Sequence, residues 1–195
     1  GVNRGLVHAR GIDAEFVLFL NNDVAVGPGF LDPMVALLAN DPTVAGVGPT
    51  ILWPDGRVWC QGANMRFGPN LNVLVGAGMP PWPTTLGPQR VDYLPGACAL
   101  YRRADLDALG GLDETYFMYM EDCDLGARLR GLRKKVLWLP WVRVEHDASA
   151  SSGGGRSPMR KFMTACNAAR YLRAHGTLRL WVSFVLFDLL LGPAS

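Results

Sequence analysis

The residues best placed to do chemistry are three carboxylates, Glu121, Asp122 and Asp124, at the head of the stretch Glu121 to Arg130. A run of aromatics and methionines, Tyr116 to Met120, leads directly into them. A carboxylate held against apolar walls binds its proton more tightly than one in water, which suits a general base. Leu125, Leu129 and Leu132 recur at helical spacing, so the acids are predicted to open a helix whose leucines face a core. A structural role is available to the same residues. Acids in a first turn complement the helix dipole, and Asp124 precedes Arg128 by four positions, the favourable order for a surface pair. Acids with perturbed proton affinity cluster at functional sites, which makes this stretch the leading candidate site.

A second group follows the apolar run Phe16 to Leu20. Asn21, Asn22 and Asp23 put two amides and a carboxylate at the carboxyl end of a strand that is apolar on both faces, and so expected to be central and parallel. Open α/β sheets place ligands at that end. Further along, Pro95-Gly96-Ala97 lets backbone come close to whatever lies above it. Gly110 to Glu114 is a turn with two more acids, Asp113 and Glu114, and Val142 to His146 ends a strand in a histidine.

The elements that position these groups are those of an α/β domain. The sequence predicts helices over 3–14, 30–40 and 104–109, and strands over 44–47, 91–94, 98–101 and 135–139. Pro54-Asp55-Gly56 predicts a hairpin turn between 50–53 and 57–60. Residues 68–90, crowded with Gly, Pro and Asn, read as an irregular lid or acceptor-binding loop. Residues 149–157 read as a flexible Ser/Gly segment, and a helical extension begins near Pro158. That divides the chain into a catalytic domain over 1–157 and an extension over 158–195. The extension turns apolar between Leu178 and Leu191 but carries Arg179 and Asp188. It is shorter than the ~20 residues a bilayer span requires, so a membrane surface or a partner is the expected contact.

Composition narrows the class. A length of 195 residues supports one domain with an appendage, and a net charge of +2 without a dense basic run argues against nucleic acid as a partner. Cys60, Cys98, Cys123 and Cys166 form no C-x-x-C pair, which fits reduced thiols in a cytoplasmic protein better than disulfides or a zinc site. The chain opens at Gly1 without the strand that usually starts such a domain, so an amino-terminally truncated fragment is expected.

An ordered set of motifs then carries a resemblance: Asn3-Arg-Gly5, Leu18 to Asp23, Gly46 to Pro49, Pro54 to Gly56, Pro95 to Cys98, Gly110 to Glu114, Met120 to Leu125, and His146. Together they resemble family-two glycosyltransferases of the GT-A fold, especially bacterial rhamnosyltransferase-like enzymes that build surface polysaccharides. The likeness covers roughly residues 1–175. It departs in lacking the family's first strand and helix, and in having Arg10 where many members carry Asn.

The resemblance implies a Rossmann-like, mixed and mainly parallel sheet flanked by helices, with a helical carboxy-terminal extension. It implies inverting transfer from a nucleotide-sugar donor to a saccharide or lipid-linked acceptor, at the inner face of the membrane. Asp122 would be the general base. Asn21, Asn22, Asp23, Gly96 and Ala97 would bind the donor and its diphosphate, with Asp23 and His146 holding Mg²⁺ or Mn²⁺. Glu121, Asp113 and Glu114 would meet the acceptor. A non-catalytic sugar- or nucleotide-binding relative is the alternative reading, and a nucleotidyltransferase a weaker third.

Overall fold

The computed structural model describes residues 1–69, 71–147 and 158–190. The predicted Ser/Gly segment, residues 149–157, lies outside the described residues, as does Leu191. The strands are β1 (Phe16–Leu20), β2 (Val24–Val26), β3 (Val44–Leu52), β4 (Val58–Cys60), β5 (Ala63–Met65), β6 (Asn72–Leu74), β7 (Gln89–Val91), β8 (Cys98–Arg102) and β9 (Lys135–His146). The helices are α1 (Val2–Gly11), α2 (Asp32–Asn40), α3 (Arg103–Ala108), α4 (Glu121–Gly131), α5 (Pro158–His175) and α6 (Leu178–Ser183), which runs on as a π-helix over Phe184–Leu190.

The main sheet runs β1-β8-β3-β9-β2, with β4 added to β3 and β7 to β9, while β5 and β6 form a separate pair. The sheet is mixed, as expected, but not mainly parallel. Among the described residues only β3 and β9 pair parallel; β8 runs antiparallel to both β1 and β3, and β2 antiparallel to β9. Nor is β1 central here. Among the described residues it pairs with β8 alone, and its side chains are half-buried except for the exposed Leu20. A doubly apolar strand signals cover on both faces, and carries no information about the direction of its neighbours.

Two predicted breaks are absent. The short strand over 44–47 and the arm of the hairpin merge into the nine-residue β3, and β9 runs twelve residues straight through Pro140. The β3–β9 register shifts between Pro49 and Thr50, and that irregularity accommodates both prolines. The hairpin itself closes as predicted: the Trp53 N–H donates to the Arg57 carbonyl at 2.8 Å, and Gly56 takes a positive φ of 82°. In the 68–90 loop, β6 and the start of β7 supply short stretches of strand.

Helix α4 lies against the sheet at close range. A Cβ at Gly126 would stand 2.3 Å from the Asp92 carbonyl oxygen, so only glycine permits this approach. Helix α5 shares one core with α4 and the sheet: Ala168, Tyr171 and Leu172 join Tyr116, Met120 and Cys123. The segment beyond α5 is pinned at Ser183, whose hydroxyl accepts from the Gly68 N–H at 2.8 Å and donates to the Gly68 carbonyl at 3.2 Å.

Candidate active site

The strand directions bring Asn21 to Asp23, Gly96, Ala97 and His146 to one edge of the sheet. Because β8 is antiparallel to β1 and β3, and β9 is parallel to β3, the carboxyl ends of β1, β3 and β9 share an edge with the amino end of β8. Asn21 to Asp23 follow β1, Gly96 and Ala97 precede β8, and His146 ends β9. Backbone hydrogen bonds lock these together. The Asn21 N–H donates to the Ala97 carbonyl at 2.9 Å, and the Asp147 N–H to the Asp23 carbonyl at 3.0 Å.

The β2–β9 ladder sets Val24 opposite His146, and so brings the Asp23 carboxylate against the imidazole. Asp23 Oδ1 lies 3.1 Å from His146 Nε2, with side-chain exposures of 12% and 6%. Trp59 closes one side of the imidazole, edge to face at 4.9 Å between ring centroids. His146 Nδ1 is buried without a hydrogen-bond partner among the described residues. Among the described residues no group of three His, Cys, Asp or Glu side chains gathers to hold a metal ion. Among the described residues Asp23 and His146 offer one oxygen and one nitrogen donor at this point. A carboxylate and an imidazole fit a divalent cation that takes its remaining ligands from phosphate oxygens and water.

Asp122, in the first turn of α4, lies beside the Gly96 backbone. Its carboxylate accepts from the Gly96 N–H at 3.4 Å and from the Cys123 N–H at 2.8 Å. Burial nevertheless pushes its pKa up from the ordinary carboxylate value, the desolvation outweighing those two bonds. Glu121 beside it is raised to about 7, by burial first and by the Asp122 charge second. Its Oε2 is buried without a hydrogen-bond partner among the described residues. Gly96 leaves open space where a Cβ would be, while Ala97 is buried.

The other acids are tied into the frame. Asp124 is almost fully buried and accepts from Arg128 Nε at 2.6 Å, as its spacing suggested, with His175 Nε2 2.7 Å from its second oxygen. Asp113 accepts from the Thr115 N–H at 2.9 Å, a bond that holds its pKa below the usual range. Glu114 accepts from Asn3 Nδ2 at 3.0 Å. Sequence reasoning gave no part to Trp59, Asn167 or His175. Each reaches the site across more than forty positions of chain, and no local pattern marks such a contact.

The fold and this edge define the class. Over 72% of its length the chain superposes on a crystal structure of GalNAc-T7 with UDP, GalNAc and Mn²⁺, at a TM-score of 0.53 and 19% identity, covering 30% of that chain. That likeness is one of fold, the GT-A glycosyltransferase fold. No family model matches the chain. In sequence it is 34% identical over 152 residues to the N-acetylglucosaminyl-diphospho-decaprenol L-rhamnosyltransferase of Mycobacterium tuberculosis, matching 71% of this chain and 49% of that protein. It is 31% identical over 178 residues to the O-antigen biosynthesis protein RfbC of Myxococcus xanthus, matching 83% of this chain and 13% of that protein. The chain belongs to the family-two-like glycosyltransferases of the GT-A fold, and spans about half the length of the mycobacterial relative.

Proposed function

We propose that this chain carries the catalytic edge of an inverting glycosyltransferase, moving a sugar from a nucleotide-sugar to a hydroxyl of a saccharide or lipid-linked acceptor in cell-surface polysaccharide biosynthesis. The observation that carries this reading is the convergence of Asp23 with His146, the Gly96–Ala97 wall and the half-buried Asp122 at one sheet edge. The names of the curated relatives, a rhamnosyltransferase with a decaprenol-linked acceptor and an O-antigen biosynthesis protein, support the same class of reaction.

Asp122 takes the proton of the acceptor hydroxyl as its oxygen bonds to the anomeric carbon. The bond from that carbon to the diphosphate oxygen breaks on the opposite face, so the configuration inverts and a nucleoside diphosphate leaves. A carboxylate with raised proton affinity is the stronger base for that step. Asp23 and His146 would hold Mg²⁺ or Mn²⁺, which neutralises charge gathering on the departing diphosphate. Asn21 and Asn22 stand beside the same phosphates, and Gly96 leaves room for the sugar. Glu121 orients the acceptor, with Asp113 and Glu114 at an outer rim.

A panel of nucleotide-sugars with Mn²⁺, assayed for release of nucleoside diphosphate, tests the reading. Asp122→Asn should lower turnover by ~10²–10⁴-fold, since an amide cannot accept the proton. Manganese-dependent nucleoside diphosphate binding should stay within about threefold, because the base acts in the transition state. No release from any donor, or near-normal turnover by Asp122→Asn, refutes it.

The reaction is assigned to the cytoplasmic face of the membrane, with the apolar stripe of the last helical segment on the lipid surface. Leu178, Trp181, Val182, Val185 and Leu189 are all exposed and recur at helical spacing. Among the described residues no helix is long and apolar enough to cross a membrane. Leu178→Asp with Leu189→Asp should abolish co-sedimentation with anionic vesicles. Unchanged co-sedimentation refutes the contact.

A further inference from the structure

No side-chain cap fixes the angle at which the first turn of α4, with Glu121 and Asp122, leaves the preceding chain. Its N-cap residue, Met120, has a φ of 65° and makes no side-chain cap, and Tyr119 before it has a φ of 68°. Two successive non-glycine residues in the left-handed region hold that conformation only when their surroundings over-determine it. The over-determining group lies on another helix.

Asn167 of α5 is fully buried, and its Nδ2 donates to the Met118 and Tyr119 carbonyls, each at 2.8 Å. Its Oδ1 accepts from Arg170 Nη1 at 2.6 Å. A guanidinium can only donate, so Arg170 fixes which way the amide faces: oxygen toward Arg170, NH₂ toward the turn. Arg170 also lies over the Tyr116 ring, 5.4 Å from its centroid. One face of α5 thus grips the 116–120 segment at both ends, while Phe117 between them stays exposed. A buried asparagine needs only to satisfy itself. This one directs both donors to consecutive carbonyls of a single strained turn.

The geometry points to Asn167 as a positioning residue: its amide sets the left-handed turn from which Glu121 and Asp122 are projected. The consequence for turnover rests on the reading of Asp122 as general base; the positioning itself does not. The carboxylates sit on α4, but their aim is set from α5, beyond the boundary at which the sequence places the extension.

Asn167→Asp tests this with almost no change of shape, since a carboxylate cannot donate to the two carbonyls. Asn167→Ala is the companion variant. Phe184→Leu, which loosens the same core from the π-helix and removes no hydrogen bond to the turn, is the control. Loss of two hydrogen bonds should speed amide exchange at Cys123 and Asp124 by about tenfold or more relative to β9 in both Asn167 variants and not in the control. By ¹³C-carboxyl titration, Glu121 should leave its value of about 7 for the ordinary range as the turn opens. Adding Tyr119→Gly to Asn167→Asp should restore slow exchange, because glycine holds a positive φ without support.

Wild-type exchange and Glu121 titration in both folded Asn167 variants would overturn the proposal, as would equal effects in the control. Where sugar transfer is measurable, turnover should fall by about tenfold with nucleoside diphosphate binding unchanged. Faster exchange with normal turnover would show that the turn does not aim the base. If the wild-type chain transfers no sugar, the exchange and titration results still decide the positioning claim, and the failure falls on the glycosyltransferase reading alone.

Discussion

Replacing Glu121 by Gln should make the protein more stable at pH 8 and leave it unchanged at pH 4. In the folded chain burial and the neighbouring Asp122 charge raise Glu121 from 4.5 to about 7, so folding favours the protonated acid. The sign follows from linkage: a group whose folded pKa is raised contributes stability that is complete below its unfolded value and is lost as pH rises through the folded one. For wild type that window runs from 4.5 to about 7. At about 1.4 kcal/mol per pH unit the loss across it is about 3 kcal/mol, an upper figure because Glu121 keeps some contact with water. Gln imitates the protonated acid at every pH and does not titrate. Urea unfolding of both proteins at pH 4 and pH 8 measures the effect, and the stability difference should open only at the higher pH. A difference independent of pH, or a Gln variant less stable at pH 8, would show that Glu121 is not held in an apolar environment.

Asp23→Ala should remove most manganese-dependent nucleoside diphosphate binding, seen by calorimetry with and without Mn²⁺, because it takes away the carboxylate that faces His146 Nε2. His146→Ala should weaken the same binding less, since phosphate and water oxygens can occupy the vacated position. Gly126→Ala should destabilise the fold by about 3 kcal/mol or prevent folding, measured by thermal melting, since the new Cβ would meet the Asp92 carbonyl at 2.3 Å. Near-wild-type behaviour in any of the three would remove the role assigned to that residue.

What could be read from the sequence was local. The acids at the head of α4 stood out because leucines at helical spacing follow them, and the Asp124–Arg128 pair because four residues is one turn. Asp23 stood out because an apolar strand ends just before it. The pairing of Asp23 with His146 spans 123 positions, and only the resemblance suggested it. The reversed entry of β8 between β1 and β3 left no trace, because side-chain alternation is the same in either strand direction. Pro140 misled, since a proline in a strand usually marks its end, whereas here it sits at a register shift inside one. The clamp from Asn167 was invisible for the same reason as His146: both are contacts made by topology.

Beyond Pro140, β9 alternates strictly: Val142, Val144 and His146 are buried, and Trp141, Arg143 and Glu145 exposed. The histidine therefore faces Asp23 as a matter of parity. Losing or gaining one residue between Pro140 and His146 would turn the imidazole out to solvent and bring an acid from the outer set to face Asp23, carboxylate against carboxylate. The strand would still pair, and the site would be gone. Length change in this stretch is thus compatible with the site only in steps of two, a constraint that acts on the count of residues rather than on what they are.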